Sequence, residues 1–145
     1  MKGEITVKDI ILAEDDADDV MLFKEVVKEI DASLPVRHAE NGNLLFVLLR
    51  EKIPDILFLD IYMPCKDGVA CIVEIRKNRA YDALPVIVYS GTERDVTIEK
   101  CYENGANYYV TKTSHYEDLV KKLKRILSFD WTNRLIYPPR NQFVV

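Results

Sequence analysis

Ile56-Leu57-Phe58-Leu59 is a short, wholly apolar run that stops on a carboxylate, Asp60, with Pro64 and Gly68 just beyond. A run that is apolar at every position, rather than at alternate ones, suits a strand covered on both faces, as in a parallel sheet with helices on each side. A carboxylate is costly inside such a core. Pro and Gly then break the chain, so Asp60 is expected at the carboxyl end of the strand, on the lip of a loop. In open α/β sheets that lip is where ligands bind. The plainer reading is an aspartate that caps the next turn, and the rest of the chain has to choose between them.

The same pattern recurs. Asp9–Ala13 reads as a first buried strand and runs straight into Glu14, Asp15, Asp16, Asp18 and Asp19. Val20, Phe23, Val27 and Ile30 follow at helical spacing, with Asp16 or Asp18 as N-cap and acids in the first turn that suit the helix dipole. Pro35–Ala39 is a weaker second strand, Asn41-Gly42 a turn, and Leu44 to Leu49 a short apolar helix that ends before Pro54. Gly68 opens a helix with Val69, Ile72, Val73 and Ile75, running to about Lys77. Leu84–Tyr89 is a fourth strand and meets Ser90-Gly91. Thr92–Glu103 is a polar helix stopped by Asn104-Gly105. Tyr108–Thr111 is a fifth strand followed by Lys112, and Tyr116, Leu119, Val120, Leu123, Ile126 and Leu127 mark a last helix. Five such alternations with short connections predict a doubly wound α/β fold around a five-stranded parallel sheet. All its strands then end at one edge.

With 145 residues, 48% of them hydrophobic and 30% charged, the chain suits one globular domain. A formal net charge of -4 gives no reason to expect a nucleic-acid partner. The basic run Lys121, Lys122, Lys124 and Arg125 reads as the solvated side of a helix. No apolar run can span a bilayer and no signal-peptide pattern opens the chain, so no membrane partner is expected. Cys65, Cys71 and Cys101 make no CxxC pair and no complete disulfide framework, which fits a reducing, cytoplasmic setting. His38 and His115 stand alone, so zinc is not expected.

At the shared edge the strands deliver Glu14, Asp15 and Asp16, then Asp60, Ser90 and Lys112. Crowded carboxylates repel one another and call for a cation. A hard divalent ion with oxygen ligands meets that need, and Mg²⁺ suits a shallow site that keeps several waters. The remaining groups match phosphoryl transfer: a carboxylate nucleophile, then a cation, an ammonium and a hydroxyl for the three oxygens of the transferred group. Taken singly, the acids read as caps, Lys112 as a surface lysine and Ser90 as a turn residue. Their joint placement is what favours a site.

Glu14-Asp15-Asp16 after a buried strand, Leu59-Asp60 with Met63-Pro64 and Gly68, Tyr89-Ser90-Gly91, and Gly105-Ala106 leading to Tyr109 and Lys112 together resemble the receiver domain of two-component response regulators. The resemblance covers residues 8–127 and leaves 128–145 as a C-terminal extension. It implies a flavodoxin-like sheet of order 2-1-3-4-5. It implies that Asp60 accepts a phosphoryl group from a phosphohistidine on a sensor histidine kinase or phosphotransfer protein. Glu14 and Asp15 match the Mg²⁺-binding acids, with Asp60 and the backbone carbonyl of Tyr62 completing the set and Asp16 as an alternative ligand. Ser90 matches the hydroxyl that moves toward the phosphoryl group, Tyr109 the aromatic switch, and Lys112 the lysine that pairs with the phosphate.

Two positions depart from the pattern. Thr113 stands where the family usually has proline, which makes a cis peptide much less favourable. Tyr62 places a bulky ring two residues beyond Asp60, expected to shield an acyl phosphate from water and to lengthen its measured lifetime. Thr113 and the aromatic tail also resemble a subgroup, the partners of bacterial phytochromes. In that subgroup the extension contributes to dimer contacts. Here Phe129, Trp131, Leu135 and Tyr137 could pack on a twin subunit or fold back on their own domain. No output domain is expected after Leu127, so signalling to an unidentified downstream protein would use a changed surface built from the fourth helix, fifth strand and last helix. Two rivals remain: a pseudo-receiver that only binds, and a small phosphatase with an aspartyl nucleophile. The phosphatase is disfavoured because Tyr62 occupies the place of the second acid.

Overall fold

The five buried runs become five strands in the computed structural model, which describes residues 5–132 and 135–145. β1 (Ile10–Ala13), β2 (Val36–Ala39), β3 (Ile56–Leu59), β4 (Val86–Ser90) and β5 (Tyr108–Thr111) pair in parallel in the order β2-β1-β3-β4-β5. β1, β3 and β4 are buried at every position, as their unbroken apolar character requires, while the edge strand β2 is not. The register sets Ala13 beside Leu59, Leu59 beside Val88 and Ser90 beside Thr111, so the strand ends are level.

Helices cover both faces. α1 (Ala17–Ile30) and α5 (Tyr116–Leu127) pack on Ile10, Leu12, Ile56 and Phe58. α2 (Gly42–Glu51), α3 (Gly68–Lys77) and α4 (Asp95–Glu103) pack on Ile11, Ala13, Leu57 and Leu59. Alternate residues of one strand thus feed opposite cores. Asp16, Asn41 and Asp67 cap α1, α2 and α3 through their side chains. Gly105, with φ of 104°, ends α4 in the left-handed conformation that glycine tolerates. At Gly68, a Cβ would meet the Asp60 carbonyl oxygen and the Cα of Ile61. The start of α3 can therefore lie directly on the backbone of the candidate acceptor.

Several boundaries differ from expectation: β2 starts at Val36 rather than Pro35, β4 runs Val86–Ser90 rather than Leu84–Tyr89, and α2 takes in Gly42. β1 starts at Ile10, because Asp9 is turned aside to pair with Arg37 at 3.1 Å and to accept from the Asp55 amide. α4 starts at Asp95 rather than Thr92. Thr92 and Ser90 use their hydroxyls to accept from the amides of Arg94 and Thr92, which holds residues 91–94 in a loop.

A polar hub lies behind the sheet. The Arg76 guanidinium donates to the carbonyls of Gly105, Tyr81 and Leu84 and to the Asn107 side chain. Asn107 accepts from the Val86 amide and donates to the Ile136 carbonyl. Burial pulls the pKa of Arg76 below its ordinary value.

The C-terminal residues fold back on their own domain. Tyr108 and Tyr109 face opposite sides of the sheet, and the tail supplies partners for each. Phe129 stacks on Tyr108 at 5.1 Å, and the Trp131 indole donates to the Ile126 carbonyl. Phe143 is fully buried between Tyr102 and Tyr109, with ring centroids 5.1 and 6.1 Å away. Tyr109 donates its amide to the Phe143 carbonyl, and its own carbonyl accepts from Val145, which lays the tail along the free edge of β5. Tyr102 donates to the Pro138 carbonyl and Arg140 pairs with Glu99. Tyr137 stays half exposed near Arg76.

Candidate functional site

Each strand ends where its apolar run gives out, and the level register brings those ends together. The Asp60 amide donates to the Ala13 carbonyl at 3.0 Å, and the Lys112 amide to the Ser90 carbonyl at 2.8 Å. These ladder bonds carry the sheet one residue past its strands and fix Glu14, Asp60 and Lys112 as neighbours. The peptide bond joining Lys112 to Thr113 is trans, as the missing proline leads one to expect.

Lys112 is the centre of the cluster. Its Nζ lies 2.7 Å from Glu14 Oε1, 2.8 Å from Asp19 Oδ2 and 3.3 Å from Asp60 Oδ2. Burial alone would lower the pKa of this ammonium, but the hydrogen bond it donates to Asp19, its close contact with Glu14 and the charge of Asp60 outweigh it and raise the pKa. Glu14 is fully buried, and burial pushes its carboxyl up to about 7 although Lys112 pulls the other way. One ammonium shared among three carboxylates leaves the most buried of them short of positive charge.

Glu14, Asp15 and Asp60 each offer an oxygen within 4.8 Å of the others, a spacing that can hold one cation. Glu14 Oε1 is buried and has no aligned hydrogen bond despite its contact with the ammonium. A buried carboxylate oxygen held by an ammonium that it shares with two other acids, in an all-oxygen set, fits a hard divalent ion. Asp16 stands outside this group. Its Oδ1 caps α1 by accepting from the Asp18 and Asp19 amides at 2.9 and 3.0 Å. Asp60 is 6% exposed, and its Oδ1 accepts from the Ile61 amide at 2.7 Å.

Ser90 is buried at the end of β4, and its Oγ accepts from the Thr92 amide at 3.3 Å. The Tyr109 ring is wholly buried, and its hydroxyl donates to the Thr92 carbonyl at 2.8 Å. Burial raises the Tyr109 phenol to about 12, against a lowering contribution from Ser90. Tyr62 is 56% exposed and lines a groove of about 500 Å³ with Ile61, Asp67, Val69, Ala70, Thr97 and Lys100. Two contributors escaped the sequence reading. Asp19 reads there as one more acid of a helix start. His38 reads as a lone histidine, yet its ring N–H donates to the Glu14 carbonyl at 2.7 Å and pins the acidic loop.

This arrangement and the sheet order define a class. The model of the response regulator receiver domain matches residues 10–124, and the chain belongs to that family, whose members are phosphorylated on an aspartate. Within it, the chain is 30% identical over 138 residues to the response regulator Rcp1 of Synechocystis sp., covering 90% of this chain and 93% of Rcp1. It is 32% identical over 116 residues to the probable C4-dicarboxylate response regulator DctR of Bacillus subtilis. That match takes in 80% of this chain, which spans only half of DctR. Among solved structures, the Mn²⁺-bound form of Rcp1 is similar with a TM-score of 0.76 at 28% identity, covering 91% of this chain and 99% of that one. The phosphorylated cyanobacterial phytochrome response regulator RcpA is similar with a TM-score of 0.79 at 27% identity, covering 92% and 100%. Among the described residues no helix is long and apolar enough to cross a membrane.

Proposed function

We propose that Asp60 is the phosphoacceptor of this receiver domain, and that residues 128–145 act as a packing arm on the domain of residues 8–127. The observation that carries this reading is the Lys112 ammonium 3.3 Å from Asp60 Oδ2, beside three acids spaced for one ion. The donor would be a phosphohistidine on a sensor histidine kinase or phosphotransfer protein. An Asp60 oxygen attacks phosphorus, the P–N bond breaks with its electron pair passing to the imidazole, and an acyl phosphate forms. Glu14, Asp15, Asp60 and the Tyr62 carbonyl would hold Mg²⁺, which when bound supplies positive charge for the carboxylates and the phosphoryl oxygens. Lys112 and the Ser90 hydroxyl would take the other oxygens. Movement of Ser90 would be read out through Thr92 and Tyr109, the switch pair.

The test uses Mg²⁺ and acetyl phosphate. The wild-type protein should take up one base-labile phosphoryl group, and Asp60→Asn should take up none. No adduct on the wild type would leave a pseudo-receiver, and rapid repeated turnover would point to the phosphatase.

Mg²⁺ binding should also depend on pH. The Glu14 carboxyl is raised from 4.5 to about 7, so its proton-bound form favours the metal-free fold at low pH. That contribution to stability is complete below 4.5 and is lost as pH rises through 7. An ion must displace this proton below 7 but not above it. Mg²⁺ affinity should therefore fall about ten-fold between pH 8 and pH 6, read by isothermal titration. A flat profile would mean that Glu14 carries no proton for the ion to displace between pH 6 and pH 8, or that it is no ligand.

A further inference from the structure

Asp19 occupies the third position of α1, where an acidic residue ordinarily reaches back to the amide of the N-cap residue. Here that amide, the Asp16 N–H, is taken instead by Glu14 Oε2 at 3.2 Å. Asp16 Oδ1 in turn holds the Asp19 amide at 3.0 Å, which fixes the turn. The Asp19 carboxylate is thereby released from capping, and it lies 2.8 Å from the Lys112 ammonium, from a position 93 residues away in the chain. Its side chain is 33% exposed, partly shielded from water.

The three anions around Lys112 differ in what they can do next. Glu14 and Asp60 belong to the group spaced for a cation, and Asp19 does not. Once an ion draws on Glu14 and Asp60, Asp19 is the carboxylate still free to hold the lysine.

We propose that Asp19 is a positioning residue that parks the Lys112 ammonium in the unphosphorylated protein and competes with the phosphoryl oxygens for it. This rests on the reading of Asp60 as acceptor and Lys112 as phosphate partner. The phosphoryl group then draws on an ammonium that Asp19 holds, so Asp19 sets how far the phosphorylated form accumulates on a given supply of donor. It acts through Lys112 and does not itself touch the phosphoryl group.

The test titrates the phosphoryl mimic fluoroberyllate at saturating Mg²⁺. Asp19→Asn should bind it about three- to ten-fold more tightly than wild type, the scale of one charge-assisted, part-buried pair. Asp19→Glu, which keeps the charge, should return affinity toward wild type. Asp18→Asn removes the same charge from an exposed neighbour and should stay within about two-fold. In a Lys112→Met background, read at fluoroberyllate levels high enough to saturate it, Asp19→Asn should give no gain. Unchanged or weaker binding by Asp19→Asn, an equal gain from Asp18→Asn, or the same gain without Lys112 would each overturn the proposal. A wild-type protein that ignores fluoroberyllate, or binds it regardless of Asp60→Asn, would refute the acceptor reading itself and this inference with it.

Discussion

Lys112→Met is expected to slow phosphoryl uptake from acetyl phosphate by about 100- to 1,000-fold while tightening Mg²⁺ binding. The two effects have one cause. The ammonium is a fixed positive charge aimed at the place where the transferred group gains negative charge, and such groups act on the transition state more than on the ground state. Without donor, the same ammonium sits 2.7 Å from Glu14 and 3.3 Å from Asp60, against two of the oxygens an ion would need. Removing it takes away both a competitor and a like charge. Methionine keeps the apolar stem beside the Tyr89 ring, which the ammonium overlies at 5.2 Å. Stopped-flow phosphorylation and Mg²⁺ titration of one preparation would read both effects. Slower uptake with weaker Mg²⁺ binding would mean that Lys112 holds the acids in place rather than neutralising the transferred group.

Phe143→Ala should cost about 3–5 kcal/mol of unfolding free energy, the range for truncating a buried phenylalanine. Folded domains are commonly stable by only about 5–15 kcal/mol, so this is a large share. Phe143 is fully buried against Tyr102 and Tyr109, and its backbone carbonyl takes the Tyr109 amide. Losing the ring should loosen that edge pairing as well. The midpoint in urea should fall, and the Tyr109 amide should lose more hydrogen-exchange protection than the Phe58 amide in β3, which should lose only what the global loss of stability removes. A loss under about 1 kcal/mol would show that the tail is docked without being part of the cooperative core.

The tail also bears on the surface proposed to change on phosphorylation. The sequence leads one to expect that surface on the fourth helix, fifth strand and last helix. In the folded chain, residues 135–145 lie along part of that surface and hold both backbone groups of Tyr109. A swing of the Tyr109 ring therefore has to work against the Phe143 ring, and a shift of its backbone against two hydrogen bonds.

Much of the site was legible because it rests on local signals. Largely apolar runs, each giving way to a polar residue, located Glu14, Asp60, Ser90 and Lys112 at strand ends. Level parallel strands then had to bring those ends together. Asp15 was expected in the acidic group with Asp16 as its alternative, and neighbouring acids differ only in where the turn points them. Asp16 turned into the cap, while Asp15 joined Glu14 and Asp60. Arg76 drew no reading from the sequence, since nothing local announced the ring of carbonyls around it.

The amino-acid order alone determined the strands, their sheet and the residues at its carboxyl edge, since burial periodicity and chain breakers act over a few residues. Only the tertiary structure decided that Asp19 faces Lys112, that the aromatic tail covers β5 and that Tyr109 is clasped from both sides. Those contacts join parts of the chain far apart in sequence, and they depend on how helices and tail dock on the finished sheet, which no local pattern encodes.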